Sequence, residues 1–85
     1  MNYITEANRI FSTDEKGKVI AEITFPEVSK GVFEIDHTFV DDSLRGQGIA
    51  AKLVELAVSE IEKRGGIVTA SCSYAKHYLE KNGKL

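Results

Sequence analysis

Three short stretches hold residue types that could do chemistry. Val40-Asp41-Asp42-Ser43-Leu44-Arg45-Gly46-Gln47-Gly48-Ile49-Ala50 joins the end of a strand-like segment to the start of an apolar-periodic one, with two glycines at the bend. A helix N-terminus leaves N–H groups unpaired at the positive end of its dipole, and glycine lets an anion approach the backbone, so this segment reads as a phosphate cradle. Gln47 would add a side-chain donor. Walker A is excluded because no Gly-Lys-Ser/Thr follows, and the dinucleotide fingerprint is excluded because its third glycine is missing. The same residues also fit a plain glycine-eased turn, with Asp41 and Asp42 as ordinary acids near a helix start.

Cys72 stands where a strand gives way to a helix, a position at which the dipole lowers a thiol pKa. It reads as a nucleophile or as a small buried hydrophobe. His37 interrupts a strand face otherwise made of Phe33, Ile35 and Phe39. Imidazole is well suited to proton transfer near pH 7, which makes His37 the candidate base; a hydrogen-bonded core histidine is the alternative. Tyr74 and Tyr78 share a helix face, first of all as a packing pair, and either hydroxyl could act as an acid. His77 reads as a surface residue. Glu34 and Asp36 occupy the polar strand face, where a carboxylate could attract an amine.

The elements that must position these groups follow from periodicity. Arg9–Thr13 and Val19–Phe25 alternate as two strands around a turn at Asp14–Lys18, and Pro26 ends the second. Val32–Val40 reads as one continuous third strand, with Phe33, Ile35, His37 and Phe39 on one face and Glu34, Asp36 and Thr38 on the other. From Gly46 to Arg64, Ile49, Ala50, Leu53, Val54, Ala57, Val58 and Ile61 recur at helical steps, and Gly65-Gly66 stops the helix. Ile67–Ser71 is a fourth strand, and Tyr74–Lys81 a second helix capped by Ser71 or Ser73. The third strand, long helix and fourth strand make a right-handed βαβ unit. The expected fold is therefore α+β: a mixed sheet of about four strands, an antiparallel hairpin leading into one parallel pair, and two helices.

The chain has 85 residues, 42% of them hydrophobic, which is enough for one core and one domain spanning residues 1–85. One cysteine cannot form an internal disulfide, and with two histidines it is too few for a structural zinc site. No metal is expected. A net charge of −2 without a basic cluster argues against a nucleic-acid partner. No apolar run approaches a membrane span and the first residues lack a signal-peptide profile, so a cytoplasmic protein is expected.

Arg45-Gly46-Gln47-Gly48-Ile49-Ala50 resembles the Arg/Gln-x-x-Gly-x-Gly/Ala pyrophosphate motif of the GNAT superfamily of acyl-CoA N-acyltransferases. The resemblance spans most of the chain, and His37-Thr38 before the loop brings it nearest to the short single-domain, YjdJ-type branch. It implies acetyl-CoA as co-substrate. The main chain from Arg45 to Ala50 would hold the pyrophosphate, Phe39 and Val40 would bond the pantetheine arm, and Thr38 and Tyr78 would join the coenzyme site. Cys72-Ser73-Tyr74-Ala75-Lys76-His77-Tyr78-Leu79-Glu80-Lys81-Asn82-Gly83 is similar to the superfamily pattern Asn-x-x-Ala-x-x-Phe-Tyr-x-x-x-Gly, with two departures. Cys72 replaces the Asn, and Leu79 replaces the Tyr held to protonate the leaving thiolate. The activity implied is acetyl transfer to an amine, direct or through an acetyl-Cys72 intermediate. A coenzyme A-binding module with little transfer is the alternative. A monomer or weak dimer is expected, with an uncovered sheet edge available to a second copy. A domain this small has no interior for an extended coenzyme, so the coenzyme must lie across a surface cleft.

Overall fold

The computed structural model describes residues 1–84. Strands β1 (Ile4–Glu6), β2 (Arg9–Thr13) and β3 (Val19–Thr24) form an antiparallel meander, followed by β4 (Glu27–Ser29), β5 (Val32–Ile35) and β6 (His37–Val40). A 3₁₀ turn at Asp42–Leu44, helix α1 (Ile49–Lys63), strand β7 (Ile67–Ala70) and helix α2 (Ser73–Lys81) complete the chain. One sheet has the order β1-β2-β3-β6 and is antiparallel throughout; the other has the order β4-β5-β7, with β5 and β7 parallel. The chain passes between the sheets three times, at Phe25-Pro26, at Asp36 and through α1 between β6 and β7.

The expected α+β architecture, with its hairpin, parallel crossover and two helices, is present. Strands β1 and β4 are additions. Each is three residues long and exposed throughout, so neither carries a buried alternation that the sequence could display.

The single strand expected over Val32–Val40 is broken at Asp36. His37 pairs with Thr24, yet the Asp36 N–H also donates to the Thr24 carbonyl, at 3.2 Å. Two residues thus oppose one, which is a β-bulge. The Thr24 hydroxyl donates to the Asp36 carboxylate and holds it in place. A bulge shifts the alternation by one residue, so the expected face of Phe33, Ile35, His37 and Phe39 does not persist. Phe33 and Ile35 are buried, but beyond the bulge Thr38 pairs with Ile23 and Val40 with Ala21, both fully buried. Thr38 and Val40 therefore take the core face, while His37 and Phe39 face solvent.

The core lies between the sheets and one layer of helices. Ile49, Leu53, Val54, Ala57, Val58 and Ile61 of α1 pack with Ala75 and Leu79 of α2 against Ile10, Ala21, Ile23, Phe25, Phe33 and Ile35. Helix α1 ends in a Schellman motif: the Gly66 N–H donates to the Ile61 carbonyl and the Gly65 N–H to the Glu62 carbonyl, each at 2.9 Å. Arg64 then lies near the rings of Phe25 and Phe33 and donates to the Ala7 carbonyl, tying the end of α1 to the β1–β2 turn.

Gly66 is required by space rather than by backbone angle. A Cβ there would lie 2.8 Å from two ring carbons of Phe33 and 3.2 Å from Ile61 Cγ2. Phe33 is buried in the core, which limits how far its ring can retreat. Gly66→Ala is expected to cost about 1–3 kcal/mol as an overpacked site. In a domain of this size that lowers Tm by about 5–20 °C in a thermal melt. An unchanged Tm would show that the Phe33 ring moves aside.

Candidate active site

The two sheets part at one place. β5 and β7 run side by side, and the Ile35 carbonyl accepts from both Ser71 N–H, at 3.0 Å, and Cys72 N–H, at 3.2 Å. Beyond Ile35 the bulge sends β6 across to β3, and β7 does not follow. A gap opens between β6 and the β7–α2 junction, at the C-terminal ends of two parallel strands. Such a position is where α/β sheets receive ligands.

The main chain bordering this gap can be read from the ladder. The Asp41 N–H donates to the Ile20 carbonyl at 2.8 Å, and antiparallel pairing alternates, so Phe39 is hydrogen-bonded to Glu22. The resemblance implies that Phe39 bonds a pantetheine arm, but its main-chain groups are taken up by β3. Those that face the gap belong to Thr38 and Val40.

Cys72 borders the other side. It is itself the N-cap of α2, in place of Ser71 or Ser73, because its N–H is drawn to Ile35 and the chain stays extended through it. Its side chain makes no ordinary capping hydrogen bond. Thr38 Oγ1 lies 3.5 Å from Cys72 Sγ, across the mouth of the gap. Burial pushes the Cys72 thiol up, but the Thr38 hydroxyl, the amides of Ala75 and Tyr74 at the start of α2 and the Thr38 amide outweigh it, and the net direction is down. A thiol held below its ordinary range exposes more thiolate at neutral pH.

His37 stands elsewhere. It projects from the face of β6 opposite Thr38, with Nε2 3.7 Å from a Glu22 carboxylate oxygen, and Glu22 is in turn paired with Arg9. Glu34 accepts from the Ser71 hydroxyl at 2.9 Å on the same outer side. The structure thus brings Thr38 to Cys72 and leaves His37 across the strand among carboxylates. Periodicity gave no sign of Glu22 as a neighbour of His37, because that contact depends on the register of β3 with β6.

The glycine turn lies at the end of β6. Asp41 caps the 3₁₀ turn, accepting from the Ser43 hydroxyl at 2.6 Å and the Ser43 N–H at 3.1 Å, and these bonds hold its carboxyl below the usual range. Gly48, at φ +71°, is the N-cap of α1 and supplies no side chain, and the first turn of α1 carries no acid. The first intrahelical bond runs from Lys52 N–H to the Gly48 carbonyl, so the amides of Ile49, Ala50 and Ala51 precede the ladder. A Cβ placed on Gly46 or Gly48 would meet nothing within 4 Å. An exposed helix start without cap or acid suits an anionic ligand. Arg45 and Gln47 are exposed beside it, with Arg45 Nη2 3.0 Å from an Asp42 carboxylate oxygen.

Tyr78 lines a groove of about 320 Å³ between α1 and α2, with Glu55, Ser59 and Asn82. Neither Cys72, Thr38 nor the glycine turn borders it, so the gap is distinct from this groove. Tyr74 stacks on Tyr78 with centroids 6.5 Å apart; burial raises its phenol, and Tyr78 adds to the effect. Leu79 is fully buried.

Two sheets that part where β6 leaves the parallel β5–β7 pair make a fold shared with N-acetyltransferases of known structure. The sequence profile of the GCN5-related N-acetyl-transferase family matches residues 9–85, and the chain belongs to that family. No curated protein matches it. Among solved structures, a GCN5-like candidate N-acetyltransferase from Staphylococcus aureus is 37% identical, with a TM-score of 0.78 over 95% of this chain and 79% of that one. A GNAT family N-acetyltransferase from Escherichia coli, in complex with coenzyme A, is 25% identical with a TM-score of 0.63; the match covers 73% of this chain and 38% of that one. A Mycobacterium tuberculosis protein, Rv2747, in complex with coenzyme A and NLQ, shares the fold at 18% identity and a TM-score of 0.69, over 89% of this chain and 47% of that one. The chain thus spans less than half the length of these last two. No helix among the described residues is long and apolar enough to cross a membrane.

Proposed function

We propose that the chain transfers an acetyl group from acetyl-CoA to a primary amine by way of Cys72. The observation that carries this reading is the parting of β6 from β7, which leaves the main-chain groups of Thr38 and Val40 facing Cys72 across an open cleft. In this reading the amides of Ile49, Ala50 and Ala51, with Arg45, Gly46, Gln47 and Gly48, receive the pyrophosphate, and β6 offers its free edge to the pantetheine arm.

Acetyl-CoA supplies an activated thioester. The Cys72 thiolate forms a bond to the acetyl carbon, the carbon–sulfur bond to coenzyme A breaks, and the departing thiolate takes a proton from solvent. Amide donors at the gap stabilise the charge that develops on the carbonyl oxygen. A neutral amine then attacks acetyl-Cys72, its proton passes to a base, and Cys72 returns as thiolate. His37, which projects from the outer face beside Glu22, takes that proton through solvent rather than from the amine directly. Coenzyme binding without transfer is the reading that the buried Leu79 favours, since no phenol occupies that position; turnover of acetyl-CoA with a primary amine separates the two.

Titration with acetyl-CoA, followed by backbone amide shifts, tests the site. Movement is expected from Thr38 through Ala51 and at Cys72. Shifts centred instead on Glu55, Ser59 and Asn82 would move the coenzyme to the groove between the helices.

A further inference from the structure

Thr38 calls for an explanation that packing does not supply. It sits on the core face of β6, opposite Ile23, where Val would fill the same volume and favour a strand equally. Its hydroxyl is half-buried, and the partner it meets is the sulfur of Cys72, thirty-four residues away in sequence and 3.5 Å away in space. The bulge at Asp36 is what turns Thr38, rather than His37, toward the gap.

We propose that Thr38 is a positioning residue whose hydroxyl donates a hydrogen bond to the Cys72 thiolate, holding the sulfur in its reactive form at the mouth of the cleft. The proposal rests on the reading of Cys72 as the nucleophile and assigns Thr38 to the sulfur rather than to the coenzyme. Hydrogen bonds to a charged acceptor are the strong ones, and removing such a donor disfavours the anion specifically. Among the described residues the other donors at the sulfur are main-chain amides, that of Thr38 included, and the Thr38 hydroxyl is its side-chain donor. From α2 come the amides of Tyr74 and Ala75, while the phenols of Tyr74 and Tyr78 stack on each other. Glu34 is bonded to Ser71, and His37 and Glu22 stand together on the opposite face of the sheet.

Cys72 is the chain's one cysteine, so alkylation by iodoacetamide reports it alone. The rate is measured against pH on the full chain without coenzyme, which makes the outcome independent of any acetyl transfer. Thr38→Val is expected to raise the midpoint by about one pH unit, which is about tenfold less thiolate at neutral pH. The rate at pH 7 falls by only about threefold, because a more basic thiolate is intrinsically the better nucleophile. Thr38→Ser restores the hydroxyl and is expected to keep the midpoint of the native chain. Thr38→Ala, which also lacks the hydroxyl, is expected to match Thr38→Val and takes its place if the larger side chain disturbs the amide spectrum. A native midpoint in the Val or Ala variant, or a raised one in Thr38→Ser, overturns the proposal. Loss of acetyl transfer with an unshifted midpoint would place Thr38 on the coenzyme instead.

Discussion

Cys72→Ala is expected to lose acetyl transfer by on the order of 10³-fold, while its affinity for acetyl-CoA stays within about threefold of the native chain. The asymmetry follows from the geometry. Cys72 borders the gap at the start of α2, whereas the amides suited to the pyrophosphate belong to the turn before α1 and those suited to the pantetheine arm to the edge of β6. The side chain is half-buried at the edge of the core, so shortening it removes the sulfur without opening a large void. Cys72→Ser is expected to lose transfer to a similar degree, because a hydroxyl in that place has no neighbouring base: Thr38 faces it, and His37 projects from the other side of the strand. Steady-state turnover with a primary amine, beside calorimetric titration of acetyl-CoA, reads both quantities. Native turnover in Cys72→Ala would remove the covalent route and leave direct attack on the thioester.

The opposite pattern is expected from Gly48→Asp, in which binding fails and the fold survives. Gly48 sits at φ +71° with open space where a side chain would grow. Asp visits this backbone region more readily than most residues, at a cost of about 1 kcal/mol, so Tm should fall by about 4–8 °C and no more. The new carboxylate, however, stands beside the amides of Ile49, Ala50 and Ala51 and brings negative charge to the position where the pyrophosphate would rest. Affinity for acetyl-CoA is expected to fall by at least about 100-fold, or about 2.7 kcal/mol. Gly48→Ala carries the backbone cost without the charge and should bind far better than Gly48→Asp. Equal binding by the two variants would show that the start of α1 does not face the coenzyme.

Much of this arrangement is legible in the chain because it rests on local periods. The stripe from Ile49 to Ile61 recurs at helical steps and is buried at every position named for it but Ala50, which is half-buried in the first turn, and Gly65-Gly66 ends the helix as their types suggest. The strand–turn–helix at Val40–Ala50 announces itself by two glycines at a change of period. What escapes the sequence depends on partners. Glu34, Asp36 and Thr38 look like one polar face of one strand, and only the pairing of both Asp36 and His37 with Thr24 reveals that the alternation slips between them. That slip exchanges the roles of neighbouring residues: His37 goes to solvent beside Glu22, and Thr38 goes to Cys72. The cap of α2 is hidden for a similar reason. Ser71 and Ser73 are better capping residues by type, but the Ile35 carbonyl accepts from both Ser71 and Cys72 and sets where the helix can begin.

Trapping the acyl group on the chain tests the account most directly. Incubation with acetyl-CoA in the absence of an amine, followed by intact and peptide mass measurement, is predicted to show one added acetyl group on Cys72, labile to neutral hydroxylamine as a thioester should be and absent from Cys72→Ala. Transfer to an amine that proceeds at full rate with no such adduct, or an adduct that persists in Cys72→Ala, would contradict it.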